Sequence, residues 1–487
     1  MAGLRILGVG LLLGWLANAS LAAGAEPLRI GMAEAEITPP EGFPMAGYYH
    51  ERLATGTRDP LKAKAMVFVG DGARAALVAC DLTGIAADLS AEVRRRAAAQ
   101  TGIPAEYIVL AATHSHTAPD YTRDLYEYLG GTPEAGQDRY SARLIAGIVD
   151  AIVRANQGAQ PVTVLAGSAR QEQPISFNRR FVMKDGSVRT WMRLDNPQVV
   201  RAAGPIDPEV SLLLVRAVEG DQPLGVFTNF ALHLDTVGGT LWSGDYPFYV
   251  EQSLRQTLGP NVISLFGNGC CGDINHADPT AAAVNKTDLI GQSLAATVQQ
   301  GLTQLSRVDQ PVLRVRRAQV ALPLQEVTAD DVARALPLVA AAKAGKPGEF
   351  FALVTAYKSL ILDQLRNRPP LAPPTDSLSW GLSHTLAGVG DQLPVDVQVI
   401  ALGSDVAIVC LSGEVFVDLG LAIKRASPFR TTLVVELCNC VETVYVPPRV
   451  AYAVGSYEVT NSTVKPGAGE LLAETAVRLL REAAGGE

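Results

Sequence analysis

Beyond its first 25 residues the chain has no apolar run long enough to cross a bilayer, which takes about 20 consecutive apolar residues. It has no basic stripe either. Lysine and arginine number 41 against 49 acidic residues, a net charge of -8, and this argues against nucleic acid as a partner. Internal repeats and low-complexity segments are also missing. Charged residues make up only 18% and hydrophobic ones 48%, so a packed core is expected and disorder is not. At 487 residues the chain is too long for one small core. It suits two to four structural units, or one large α/β sheet with insertions.

Met1 to Ala25 reads as a secretory signal. Arg5 supplies the charged start, Ile6 to Leu16 the short apolar stretch, and Ala23-Gly24-Ala25 a small-residue cleavage site. The mature chain, 26–487, is therefore expected to be secreted or periplasmic, with a retained N-terminal anchor as the alternative. Cysteine is scarce, six in all. Cys80 and Cys410 end apolar runs and read as buried thiols. Cys270-Cys271 and Cys438-x-Cys440 have the spacing to pair in an oxidising compartment, but match no common zinc pattern.

Apolar β-branched runs alternate with helical patterns. Leu28 to Ile37, Pro161 to Ala169, Glu209 to Val218, Leu224 to Leu232, Val262 to Phe266, Val312 to Leu322, Val395 to Leu402, Asp405 to Leu411 and Thr431 to Leu437 read as strands. Lys64 to Val69 and Arg74 to Cys80 read as a hairpin turned by Gly70-Asp71-Gly72. Helices are expected at Ala87 to Gln100, Ser141 to Asn156, Pro247 to Leu258, Asn285 to Leu305, Val415 to Arg425 and Gly469 to Ala484. Residues 329–366 read as a helical insertion broken at Gly345 to Gly348, placed to act as a lid. Pro369 to Pro374 forms a proline-rich joint. The fold class is α/β: a large mixed sheet flanked by helices, with that insertion.

Histidine is as rare as cysteine, and its placement carries the chemistry. His114 and His116 follow the apolar run Tyr107-Ile108-Val109-Leu110. In an extended segment, alternate residues share a side, so both imidazoles are expected to face one cavity. His233 ends a strand of its own. Neutral imidazoles together with oxygen donors and an open water position are what a catalytic zinc requires. Glu414 is a candidate carboxylate, expected at the start of a helix where the dipole favours an anion.

Thr113-His114-Ser115-His116-Thr117-Ala118-Pro119, Phe177-Asn178-Arg179-Arg180, Phe230-Ala231-Leu232-His233, Ser412-Gly413-Glu414-Val415-Phe416 and Tyr445-Val446-Pro447 through Tyr457 occur in order. Together with Asp59 to Ala65 and Asp81-Leu82-Thr83-Gly84, this set resembles the neutral/alkaline ceramidases over most of the mature chain. The resemblance implies one catalytic Zn2+ held by His114, His233, Glu414 and Tyr445. It implies that His116 and Tyr457 face the substrate carbonyl, stabilise its developing charge and supply a proton to the leaving amine. It also implies that Arg179 holds a polar head group. The expected reaction is cleavage of the amide of a ceramide-like N-acyl lipid, or a related small N-acyl compound, by metal-activated hydroxide. Transient contact with a membrane surface is compatible with such a substrate.

The chain departs from the family at Gly272-Asp273-Ile274-Asn275-His276-Ala277, where Asn275 stands in place of a serine near the site. An amide can donate or accept a hydrogen bond but is no nucleophile, so a serine-nucleophile scheme is excluded and Asn275 is left a polar catalytic-site residue. His276 and the Cys270-Cys271 pair point to a different polar substrate end. No C-terminal immunoglobulin-like domain is expected after Tyr457, which weakens ceramide itself as the substrate. A metallo-esterase on the same site, or a non-catalytic exported binding protein with the same fold, are the competing readings.

Overall fold

The structure, a computed structural model, describes residues 27–130, 138–281, 286–346, 348–369 and 384–485. The signal segment Met1 to Ala25 and all but the first residue of the Pro369 to Pro374 joint lie outside the described residues.

Two β-sheets stack face to face. The larger runs Ile263–Asn268, Pro223–Phe230, Glu209–Ala217, Gln160–Arg170, Arg29–Glu36, Lys62–Gly70, Ala73–Cys80 and Ile108–Ala112 in spatial order, with the short strand Ser306–Arg307 beside Gln160–Arg170. The smaller runs Leu313–Pro323, Gln392–Leu402, Val406–Cys410 and Thr431–Val435. Phe68, Leu77, Val109, Phe227 and Leu265 of the first sheet meet Val315, Ile400, Ile408 and Leu433 of the second in one apolar layer. Strands such as Ile108–Ala112 and Val406–Cys410 are buried at every residue, which is why they read as continuous apolar runs rather than as alternating ones.

Helices close both outer faces. Ala87–Thr101 and Tyr140–Gln157 cover one half of the large sheet, and Pro247–Leu258 and Thr287–Leu302 the other. Ala468–Ala484 lays Leu472, Ala476, Leu479, Leu480 and Ala483 on the small sheet, an i, i+3/i+4 stripe. The molecule is thus layered helix, sheet, sheet, helix, the expected α/β class with a large mixed sheet. The insertion folds as two helices, Ala329–Lys343 and Phe350–Asn367, with the break where Gly345 to Gly348 predicts it.

Within these two sheets most strand pairs are antiparallel, but three are parallel: Ala73–Cys80 with Ile108–Ala112, Pro223–Phe230 with Ile263–Asn268, and Val406–Cys410 with Thr431–Val435. The loops that follow five of these strands carry the candidate site residues. Ligands in open α/β sheets collect beyond the carboxyl ends of strands for this reason.

Three local expectations are corrected. The strand before the histidine pair ends at Ala112, and His114 has a left-handed φ of 77°, so this segment is not extended. The strand before His233 stops at Phe230. Glu414 does not begin a helix: the helix starts at Val417, and Glu414 lies in a two-residue strand, Glu414–Val415. The helix expected from Asn285 spans Thr287–Leu302, and residue 285 itself lies outside the described residues. All six cysteines are buried free thiols, so neither suggested pairing is present. Thr122–Gly130 is a helix that the sequence reading missed.

Candidate metal centre

His114 leaves the end of Ile108–Ala112 in a left-handed turn, a conformation that costs a non-glycine residue about 1–3 kcal/mol and is held only by its surroundings. His114 N donates to Leu82 O (2.9 Å), and His116 N donates to Leu234 O (2.9 Å), one residue past His233. The turn, rather than strand alternation, brings the two imidazoles together, with Nε2 atoms 3.3 Å apart. Gly47 abuts His116. Its φ is +97°, and a Cβ there would lie 2.8 Å from the His116 Cβ.

Glu414 and Tyr445 are direct partners in a parallel two-strand bridge, so residues 31 positions apart sit side by side. Gly413 permits the bend before Glu414, with φ +80° and no space for a side chain against Thr443. Glu436, buried in the core, ties the loops together. Its Oε1 accepts from Cys271 N (3.1 Å) and its Oε2 from Val415 N (2.6 Å).

The electrostatics of the cluster are unbalanced. His114 Nδ1 meets Thr83 O at 2.7 Å, and His233 Nδ1 meets Cys271 O at 3.0 Å. A carbonyl only accepts, so both Nδ1 atoms carry a proton, and in the neutral rings both Nε2 atoms present lone pairs. These face each other at 3.2 Å, and Glu414 Oε2 lies 3.4 Å from His114 Nε2 and 3.3 Å from His233 Nε2. Glu414 Oε2 is buried and accepts no hydrogen bond. Three acceptors pointed at one another in a dry site repel unless a cation, or a proton on one imidazole, lies among them.

The spacing fits zinc. Zn–N and Zn–O distances of about 2.0–2.2 Å place tetrahedral ligand atoms roughly 3.3 Å apart. The three edges here, 3.2, 3.3 and 3.4 Å, form one face of such a tetrahedron. The ligand atoms of His114, His116 and His233 all lie within 4.8 Å of one another.

Arg179 reaches into the same group. Its Nη2 donates to Tyr445 Oη (3.0 Å) and Gly272 O (2.8 Å), its Nη1 lies 3.3 Å from His233 Nε2, and its Nε pairs with Glu458 (2.8 Å). Tyr457 lies beyond Tyr445, ring centroids 5.6 Å apart, with Tyr49 Oη 3.5 Å from its hydroxyl. Asn275 is buried and lines a cavity of about 220 Å³ together with Arg179 and Trp191. The structure therefore gathers His114, His116, His233, Glu414, Tyr445, Tyr457 and Arg179 into one group, with Asn275 on the adjoining cavity wall.

Burial and the neighbouring His114 push His116 down to about 3, so its ring is neutral at pH 7. Burial raises the Tyr457 phenol, which keeps its proton there. Burial opposes a charge on His114, but the Glu414 carboxylate outweighs it and raises the imidazole. Glu414 in turn is held well below the carboxylate range, because the two imidazoles more than offset its burial.

Sequence reasoning missed Glu436, Glu458, Trp191 and Phe350. Glu436 sits in a segment with no motif of its own, Glu458 directly follows Tyr457 at the end of a family-like stretch, and only the contacts reveal what either glutamate does.

Residues 28–282 match the family model described as neutral/alkaline non-lysosomal ceramidase, N-terminal. No curated protein matches the chain. Two solved structures share the fold, each covering 94% of this chain and 75% of the other with a TM-score of 0.66. They are a neutral ceramidase from Pseudomonas aeruginosa at 19% identity and a ceramidase complexed with C2 at 20%.

Proposed function

Because the chain belongs to the neutral/alkaline non-lysosomal ceramidase family, we propose that it is an exported zinc amidohydrolase that cleaves the amide of a ceramide-like N-acyl lipid or a related N-acyl compound. The observation that carries this reading is the triangle formed by His114 Nε2, His233 Nε2 and Glu414 Oε2, spaced for one divalent cation, with the buried Glu414 Oε2 accepting no hydrogen bond. Tyr445, beside Glu414 in register, is the fourth ligand of the proposal. A cation held there supplies Lewis acidity and lowers the pKa of coordinated water to ~7.

The chain's own residues do the rest. Tyr457 is protonated at neutral pH, so its Oη donates to the oxygen of the carbonyl as charge builds on it. His116, neutral and half-buried, donates from its protonated ring nitrogen to the same oxygen. One such donor is worth roughly 3–4 kcal/mol. Either group can pass its proton to the departing nitrogen. Arg179 fixes the Tyr445 hydroxyl and lines the cavity, where it would meet a polar substrate end. Asn275, on the same wall, offers an amide for hydrogen bonding and no nucleophile. Products are a fatty acid and an amine such as a sphingoid base.

A hydrolysis screen of N-acyl lipids and small amides, run with and without a chelator and against matched O-acyl substrates, tests this reading. Chelator-sensitive release of the amine supports it. Turnover of esters alone replaces it with a metallo-esterase. A zinc-loaded protein that hydrolyses neither overturns it.

A further inference from the structure

Trp191 is out of place as a structural residue. It is 47% exposed, and its φ of 60° is left-handed, a strain that a bulky side chain bears only where its surroundings impose it. The surroundings here lead back to the site. Trp191 N donates to Arg179 O at 2.8 Å. Its neighbour Thr190 bonds Ser456 Oγ (2.6 Å) and Glu458 Oε2 (3.0 Å), the same glutamate that pairs with Arg179. Ser456 is likewise left-handed, at φ 88°. Two strained non-glycine residues thus flank one point on the rim.

The ring held there has aromatic neighbours. Its centroid lies 4.8 Å from Tyr457 and 6.0 Å from Phe350, and Phe350 stacks on Tyr457 at 5.8 Å. Phe350 begins the second insertion helix and is itself 39% exposed. Glu349 fixes that helix start by accepting from the backbone of Phe351 and Ala352. Large rings left half in water, on the outer side of a substrate-facing phenol, are not explained by core packing.

Trp191 also walls the cavity of about 220 Å³, whose lining includes Arg179, Asn275, Phe181 and Arg193. Pockets that enclose a whole drug-sized ligand run to roughly 300–1,000 Å³. At about 220 Å³ this one is too small to enclose an N-acyl compound with a long chain.

We propose that Trp191 and Phe350 form an entrance that receives the apolar chain of the substrate and sets its preference for chain length. The inference rests on the N-acyl reading above and adds to it the residues that select the acyl group.

The test compares kcat/KM for the N-octanoyl and N-acetyl forms of one amine. In Trp191→Ala and in Phe350→Ala the octanoyl-to-acetyl ratio is expected to fall roughly tenfold, and Trp191→Phe is expected to restore most of it. A ratio unchanged in both alanine variants overturns the proposal, whatever happens to the absolute rates. Calorimetric binding of octanoate provides an arm that needs no turnover. Weaker binding in the alanine variants supports the entrance, and equal binding overturns it. Wild-type protein that hydrolyses neither amide removes the N-acyl reading, and octanoate binding then decides the entrance alone.

Discussion

Two glutamates of this protein are equally buried and differently completed. Glu251, 4% exposed, lies on the helix Pro247–Leu258. Its Oε1 meets Lys62 Nζ at 2.6 Å and Arg255 Nη1 at 2.9 Å, and its Oε2 pairs with Lys64. Glu414, 7% exposed, points Oε2 at the Nε2 atoms of two imidazoles, and that oxygen accepts no hydrogen bond. The first carboxylate is closed by cations that the chain itself provides. The second is closed only by a cation from outside, or by a proton on His114 in its place. Buried charge that is fully paired belongs to the fold, and buried charge left open marks where a ligand belongs.

The comparison is broken most severely at His233. His233→Ala removes one corner of the acceptor triangle, and amide hydrolysis is expected to fall by about a thousandfold or more, some 4 kcal/mol of barrier. Thermal unfolding should still show one cooperative transition, and the activity assay on that folded variant checks the claim.

Removing Glu251 should do the opposite. Burial alone would raise its carboxyl, but Lys64 and Lys62 overcome that and bring it down to about 2. A carboxyl lowered on folding stabilises above its unfolded value near 4.5, and that stability is lost as pH falls through about 2. The shift corresponds to about 3 kcal/mol. Glu251→Gln should lose about that much stability at pH 7 and flatten the acid limb of a denaturation series, with metal content unchanged.

The smallest of these effects is expected at Gly413. Gly413→Ala places a methyl group against Thr443 in a left-handed backbone, at a cost of about 2 kcal/mol or more. Because Glu414 follows directly, the midpoint of unfolding and the affinity for zinc should fall together. A fall in stability alone would detach the bend from the site.

Much of this was legible in advance, for physical reasons. Val406–Cys410 and Ile108–Ala112 are buried on both faces, so their sequences carry unbroken apolar runs. The hairpin of Lys62–Gly70 and Ala73–Cys80 shows its turn in Asp71 and Gly72, both left-handed. The gathering of His114, His116, His233, Glu414 and Tyr445 was legible through family resemblance, and their local geometry was not. Nothing in Thr113 to His116 announces the left-handed turn at His114, which depends on contacts with residues 82 and 234. The Glu414–Tyr445 bridge joins segments 31 residues apart, and two paired residues leave no periodic signal. Trp191 escaped notice because a lone tryptophan in a polar loop has no pattern, and its meaning lies in Tyr457, Phe350 and Arg179 beside it.

Elemental analysis of the purified protein, wild type beside Glu414→Gln, tests the account most directly. Wild type is expected to carry about one equivalent of zinc, and the folded variant far less under the same dialysis. Wild-type protein that stays free of divalent metal after incubation with zinc, or a variant that holds it as tightly, would contradict the open carboxylate at the centre of the account.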